Sequence, residues 1–304
     1  MPTNLADDDA ALSYFDTSNN TLIGELPHLV NSRIMFADNS QNNVLVCEPD
    51  VSLVDSFLRF NGSNSVIYIG GPNKNLRLDV TVWGASSFAI GGGAYTNGAL
   101  HAIASERRTI AIGSQALISF GIWIRTADPH LVYSAKSKQR INPSKDVLIG
   151  DHVWLGQEAM LLKGTTVGSG GIIGAHAVVA GKTIPSNTSW AGNPARQIAR
   201  DVFFDSASVH AYSESATKKS MSYSSDQWVY TGANTHFNSL IQLAHELEIA
   251  GEDALKKADL LRNVFCNRSD KNRFALKASD DHGRRIGVLH RVRSRTTLKK
   301  SLRS

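Results

Sequence analysis

Between Ile149 and Val179 an aliphatic residue recurs at every sixth position: Ile149, Leu155, Leu161, Val167, Ile173 and Val179. Gly or Ala follows at Gly150, Gly156, Gly168, Gly174 and Ala180, with Leu162 the one exception. Four positions after each of the first five aliphatics stands Val153, Ala159, Thr165, Gly171 or Ala177. A period of six is neither the 3.6 of an amphipathic helix nor the 2 of a half-buried strand. It is the period of a β-helix, in which each hexad supplies one short strand and one turn. Three hexads close one triangular coil, and coils stack at the strand spacing of about 4.8 Å. The aliphatic side chains fill the prism, and small residues fit its corners.

The beat extends upstream in a looser form. Ile69-Gly70, Ile90-Gly91 and Ile112-Gly113 are separated by 21 and 22 residues, against 18 for an ideal coil, which predicts coils with small corner loops. Val44-Leu45-Val46 and Phe57-Leu58-Arg59-Phe60 read as strands, the latter followed by a turn at Asn61-Gly62-Ser63-Asn64. Ile112, Ile118 and Ile124 restore the six-residue step, and the beat then breaks until Ile149. The polar segment 131–146, with Lys136, Lys138, Arg140 and Lys145, is predicted to project from one coil. Loops inserted into a solenoid lie on its functional face as a rule.

This reading divides the chain into an N-terminal arm or short cap (1–25), a β-helix (26–200) with the insertion 131–146, and an extension (201–304). In the extension, Ser206 to Ser225 is rich in Ser and is expected to loop around the body. Phe237, Leu240, Ile241, Ala244 and Leu247 fit one amphipathic helix, and Ala254, Ala258, Leu261, Val264 and Phe265 a second, so that helices are predicted over about 236–266. They are expected to cap the open end of the β-helix, whose strand edges otherwise invite aggregation. The net charge of +5 is concentrated at the end, where His282 to Ser304 contains eight Lys or Arg and no Asp or Glu. This tail (282–304) is read as a solvated end, with peripheral contact to an anionic membrane surface or polymer as the alternative; no nucleic-acid partner is expected. Hydrophobic residues at 42% and charged residues at 19% indicate a soluble protein, and no apolar run is long enough to span a bilayer. The absence of a signal-peptide pattern and the two unpatterned cysteines, Cys47 and Cys266, place it in the cytoplasm.

Several residues have the chemistry of a site. His130, in Thr126-Ala127-Asp128-Pro129-His130, stands where a regular coil gives way to the inserted loop. A neutral imidazole there can take a proton from a hydroxyl as it attacks a thioester, or the histidine stands at a loop base with no chemistry. Asp128 either orients that base or fixes the turn before Pro129. Trp154 occupies an outward position of its hexad, as a flat wall for a ligand or as a packing contact between subunits. His152 and His176 each follow a core aliphatic by three positions and are read as turn-exposed histidines. No histidine pair has zinc spacing, so no metal is expected. No Ser or Cys nucleophile arrangement is visible, which disfavours a covalent acyl-enzyme.

The run from Thr126 to His130, the run Arg140-Ile-Asn-Pro-Ser-Lys-Asp-Val-Leu-Ile-Gly-Asp-His-Val-Trp-Leu-Gly156, and the segments Leu162 to Gly168 and Ala191 to Arg196 resemble the hexapeptide-repeat O-acetyltransferases. The most similar branch modifies bacterial capsular or lipopolysaccharide sugars. The resemblance covers roughly Asn31 to Arg200. It implies an all-β, left-handed parallel β-helix, here with a partly α-helical C-terminal extension. It also implies a homotrimer with each active site between two subunits, acetyl-CoA as the donor, and a sugar or polysaccharide as the acceptor. His130 then matches the family's general base and Trp154 the tryptophan lining its site. Gly156 and Ala175 match positions beside the cofactor, and Lys182 and Arg196 its phosphate-bearing end. Val179-Ala-Gly-Lys-Thr-Ile-Pro185 is one residue longer than the family's usual segment, which bears on the placement of Lys182. Within the enzyme class the rival acceptor is a free small sugar or a xenobiotic; outside it, the rival is a non-catalytic scaffold binding an anionic polymer.

Overall fold

The computed structural model describes residues 3–5, 8–232, 239–267 and 270–277. The six-residue beat forms a prism of parallel strands. One core column runs Cys47, Ile69, Ile90, Ile112, Ile149, Val167, Ile184, each residue paired with the next on the adjoining coil. The three Ile-Gly pairs are thus consecutive rungs of this column. The long step from Ile112 to Ile149 accommodates the insertion at the corner between the first and second faces. Strands of the first face run from Arg33–Phe36 to Val178–Ala180 and those of the second from Thr21–Gly24 to Thr183–Ile184. The third face begins at His28–Val30 and ends where Arg196–Arg200 folds back antiparallel on Thr188–Ala191.

The corners explain the Gly and Asn content. A Cβ on Gly113 would lie 2.5 Å from the carbonyl carbon of Gly150, so only glycine permits the coils to close at that corner. In the upper coils buried amides satisfy the turning backbone: Asn43 donates from its backbone N and its Nδ2 to Asn20 Oδ1, both at 3.0 Å, and Ser65 N donates to Asn43 Oδ1 at 2.9 Å.

Three features depart from the sequence-based expectation. The described residues of 1–25 form no separate arm; they close the end as a short cap, and the β-helix begins before residue 26. Thr3–Leu5 pairs antiparallel with Arg33–Phe36, α1 (Asp8–Thr17) packs Ala11, Tyr14 and Phe15 on the core, and Thr21–Gly24 is already a strand of the second face. Phe36 stacks on Phe60 with ring centroids 4.8 Å apart, and Tyr14 and Phe15 close over it. These rings plug the N-terminal end of the prism.

The second departure concerns the extension. After the short, exposed α2 (Glu214–Lys219), the helices α3 (Ser239–Ala250) and α4 (Ala254–Cys266) do not cap an end. They lie along the second face, where Leu240, Leu243, Leu247, Ala258, Leu261 and Phe265 bury Val44, Val46, Val66, Tyr68, Ala89, Ala111 and Leu148. The physical reason lies in the strands. Val44–Cys47, Val66–Ile69 and Thr109–Ile112 are buried at every position, inward and outward alike, as strands covered on both sides must be. Ion pairs Arg107–Glu252, Arg108–Glu248 and Arg262–Glu48 border the contact. Phe237, read as part of the first of these helices, and the basic tail 282–304 lie outside the described residues.

Thirdly, His152 is not exposed at a turn. It is buried, its ring stacked between Phe204 at 4.1 Å and Trp228 at 3.6 Å, with Nε2 donating to the Phe204 carbonyl at 3.0 Å. Burial holds its pKa below the ordinary histidine value. Next to it, Asp151 is gripped by Arg273 through two bonds of 2.8 and 2.9 Å. Asn187 accepts from Tyr230 N and donates to the carbonyls of Val202 and Trp228. The extension is therefore sewn onto the corner between the second and third faces. His176 keeps an exposed position, with Nδ1 3.2 Å from Glu158 Oε2.

Candidate active site

The inserted loop leaves the first face after the strand Trp123–Arg125, and its base is fixed by hydrogen bonds. Thr126 is buried, its hydroxyl accepting from Ser105 N at 2.8 Å. Asn142, also buried, donates from Nδ2 to Asp128 Oδ2 at 3.0 Å and to the His130 carbonyl at 2.8 Å, and its Oδ1 accepts from Val132 N at 2.9 Å. Lys163, from a later coil, donates to Asp128 Oδ2 at 2.5 Å and to the Asn142 carbonyl at 3.2 Å. Arg140 forks onto Glu106 at 2.7 and 2.9 Å, and Ser144 donates to the same carboxylate. The Arg140 and Ser144 bonds pull the Glu106 pKa down to about 2, and those from Lys163 and Asn142 hold Asp128 below the ordinary carboxylate range.

Within this frame the backbone of His130 is held and its side chain is exposed, its imidazole forming no hydrogen bond among the described residues. Asp128 Oδ2 is engaged by Lys163 and Asn142, so this carboxylate fixes the loop base. Asn142, Lys163, Arg140 and Glu106 are the loop-fixing residues that sequence reasoning missed. Asn142 stands inside the recognised run, but a surface amide and a hub look alike until a fold brings residues 106, 128 and 163 together.

Trp154 lies on the third face, between Leu117 and Ile172 on adjoining coils, 38% exposed and with Phe204 of the extension 5.7 Å from its ring. His130 stands at the corner between the other two faces, so the body of the prism separates it from Trp154 within one chain. Gly156 and Ala175 are stacked on consecutive coils, where a Cβ on Gly156 would meet Ala175 N at 2.7 Å. Lys182 and Arg196 belong to the final coil. Lys182 Nζ lies 5.9 Å from the Trp190 ring, and neither residue has a carboxylate partner among the described residues.

The hexad-built prism defines the class of hexapeptide-repeat β-helix proteins. The family description "Bacterial transferase hexapeptide (six repeats)" matches residues 146–181. A polysialic acid O-acetyltransferase of Neisseria meningitidis is 32% identical over 146 residues, 48% of this chain and 67% of that one. A putative lipopolysaccharide biosynthesis O-acetyl transferase, WbbJ, of Escherichia coli K12 is 36% identical over 98 residues, 30% of this chain and 50% of that one. The crystal structure of the polySia-specific acetyltransferase NeuO superposes with a TM-score of 0.56 at 28% identity, covering 66% of this chain and 93% of that one. The chain belongs to the hexapeptide-repeat O-acetyltransferases, in the branch that contains the bacterial capsular and lipopolysaccharide enzymes, and it is an acyltransferase.

Proposed function

We propose that the protein moves an acetyl group from acetyl-CoA to a hydroxyl of a bacterial surface polysaccharide or its precursor, in the cytoplasm, with His130 as general base. The observation that carries this reading is the exposed His130 imidazole, without a hydrogen-bond partner among the described residues, on a loop whose backbone is clamped by Asn142. Acetyl-CoA supplies an activated acyl thioester. His130 removes the acceptor hydroxyl's proton as its oxygen bonds to the thioester carbonyl carbon, a contribution of about 10²–10⁴-fold to rate. The C–S bond breaks to release CoA as the thiol with that proton. Trp154 walls the site, Gly156 and Ala175 leave room along the coil, and Lys182 and Arg196 hold the phosphate-bearing end of the donor. Since one chain holds His130 and Trp154 apart, the site forms between copies, the corner loop of one against the third face of the next, in a trimer.

The relatives' names support a sugar acceptor. The test is CoA release from acetyl-CoA across a panel of acidic polysaccharides, neutral oligosaccharides, free monosaccharides and chloramphenicol. Stimulation by a polysaccharide above all others is expected. Preference for a monosaccharide or for chloramphenicol would move the acceptor to the small-molecule class, and no stimulation by any of them would sink the enzymatic role.

A further inference from the structure

Resting on the reading that the acceptor is a sugar, we propose that the outer surface of the first face binds it as an acidic oligosaccharide along Arg59, Asp79, His101, Trp123 and Arg125. The strand register places Asp79, His101 and Trp123 on successive rungs of one outward column, and Arg59 and Arg125 in the neighbouring column. Arg59 pairs with one Asp79 oxygen, and His101 Nδ1 lies 2.9 Å from the other. A carboxylate only accepts, so Nδ1 carries a proton and the tautomer is set. His101 Nε2 is left without a partner among the described residues. The His101 ring stacks on Trp123 at 4.5 Å and 15°, and the Arg125 guanidinium sits over the Trp123 ring at 4.8 Å. No carboxylate meets Arg125 among the described residues.

Each part suits a sugar acid. The half-buried Trp123 ring, with His101 stacked on it and Arg125 over it, holds both polar groups rigid, and His101 Nε2 is placed to accept from a sugar hydroxyl. A guanidinium fixed in orientation with its N–H fork unused meets a carboxylate through two parallel bonds. The two arginines outweigh the one aspartate, so the strip is positive. From Arg59 to Trp123 is three coil steps, about 14 Å at the strand spacing, room for an oligomer and not only a single ring. Arg125 stands five residues before His130, in the strand that runs into the loop base, so a chain lying on the ladder presents hydroxyls toward the loop.

The experiment is calorimetric titration, without acetyl-CoA, of the wild-type chain and Arg125→Gln, Arg125→Lys and His101→Ala. The ligands are tetramers of sialic acid and galacturonic acid, with maltotetraose as the neutral counterpart. Sedimentation and melting temperature are recorded for each variant. Saturable binding of at least one acidic tetramer is expected, with maltotetraose at least about ten-fold weaker. Arg125→Gln should weaken the acidic ligand about ten-fold, one charge-assisted pair, and Arg125→Lys should recover part of the loss, at unchanged melting temperature and mass. Failure of both acidic tetramers to bind, equal binding of maltotetraose, or an unaltered Arg125→Gln affinity would overturn the proposal. A change in mass in place of a change in affinity would do the same, by assigning the face to a second copy of the chain. Because binding is read without turnover, retained binding with no acetyl transfer to any sugar would refute the catalytic reading alone.

Discussion

Among the described histidines, His130 and His152 have opposite surroundings. His130 has its backbone held, and its ring has no hydrogen-bond partner among the described residues. His130→Ala should lower kcat at least about 100-fold with little change in acetyl-CoA affinity; steady-state kinetics showing a near wild-type rate would remove it as the base. The His152 ring has both faces covered and its pKa depressed. The unfolded chain then binds the extra proton, so stability is complete above the ordinary histidine pKa of about 6.5 and declines as pH falls below it. Melting temperatures of the wild type should therefore drop from pH 7 toward pH 5 more steeply than those of His152→Asn. Asn tolerates the positive φ of 51° at this position but does not titrate. Parallel slopes would show that His152 does not carry the effect.

At the scale of elements, α4 on the second face is an apolar contact with one buried amine in it. Lys257 is 2% exposed and donates to the Ala85 carbonyl, and burial lowers its pKa to about 8. Between that value and the ordinary lysine value of 10.5 the unfolded chain binds the extra proton, so this residue's cost to folding diminishes as pH rises through the window. Lys257→Met should be most favourable relative to wild type near pH 7 and lose ground by pH 10, as compared by thermal melts at both values. A relative stability independent of pH would mean that the amine is solvated. Leu261, fully buried in the same contact, gives the complementary measure: Leu261→Ala should cost about 2–5 kcal/mol in a denaturant melt.

For the whole molecule, the second face is covered by α3 and α4, and with the first given to the acceptor the third face is left for other copies. Exposed Tyr95, Phe120 and Trp154 stand on the third face or at its corner with the first. Apolar surface in that position suits a threefold contact. Sedimentation at micromolar concentration should give a trimer, and a monomer would remove the shared-site arrangement. Truncation after Arg200 should uncover Val44, Val66, Tyr68 and Leu148 and reduce solubility; a fully soluble truncation would show that the second face needs no cover.

The six-residue period determined the prism by itself, because each hexad's strand and turn are local and its one aliphatic position must point inward in every coil. The same locality made the insertion visible as a gap in the beat between Ile124 and Ile149. The sidedness of the extension was also written in the sequence, as strands apolar at every position such as Val44 to Cys47, but it becomes readable only once inward and outward positions are known. What tertiary structure alone decided were contacts between residues far apart in the chain. Phe204 and Trp228 closing on His152, Arg273 on Asp151, and Lys163 with Asn142 on Asp128 join segments whose separation carries no periodic signal. Polar and aromatic partners of this kind are chosen by where the coils bring them, and a one-dimensional pattern holds no record of that choice.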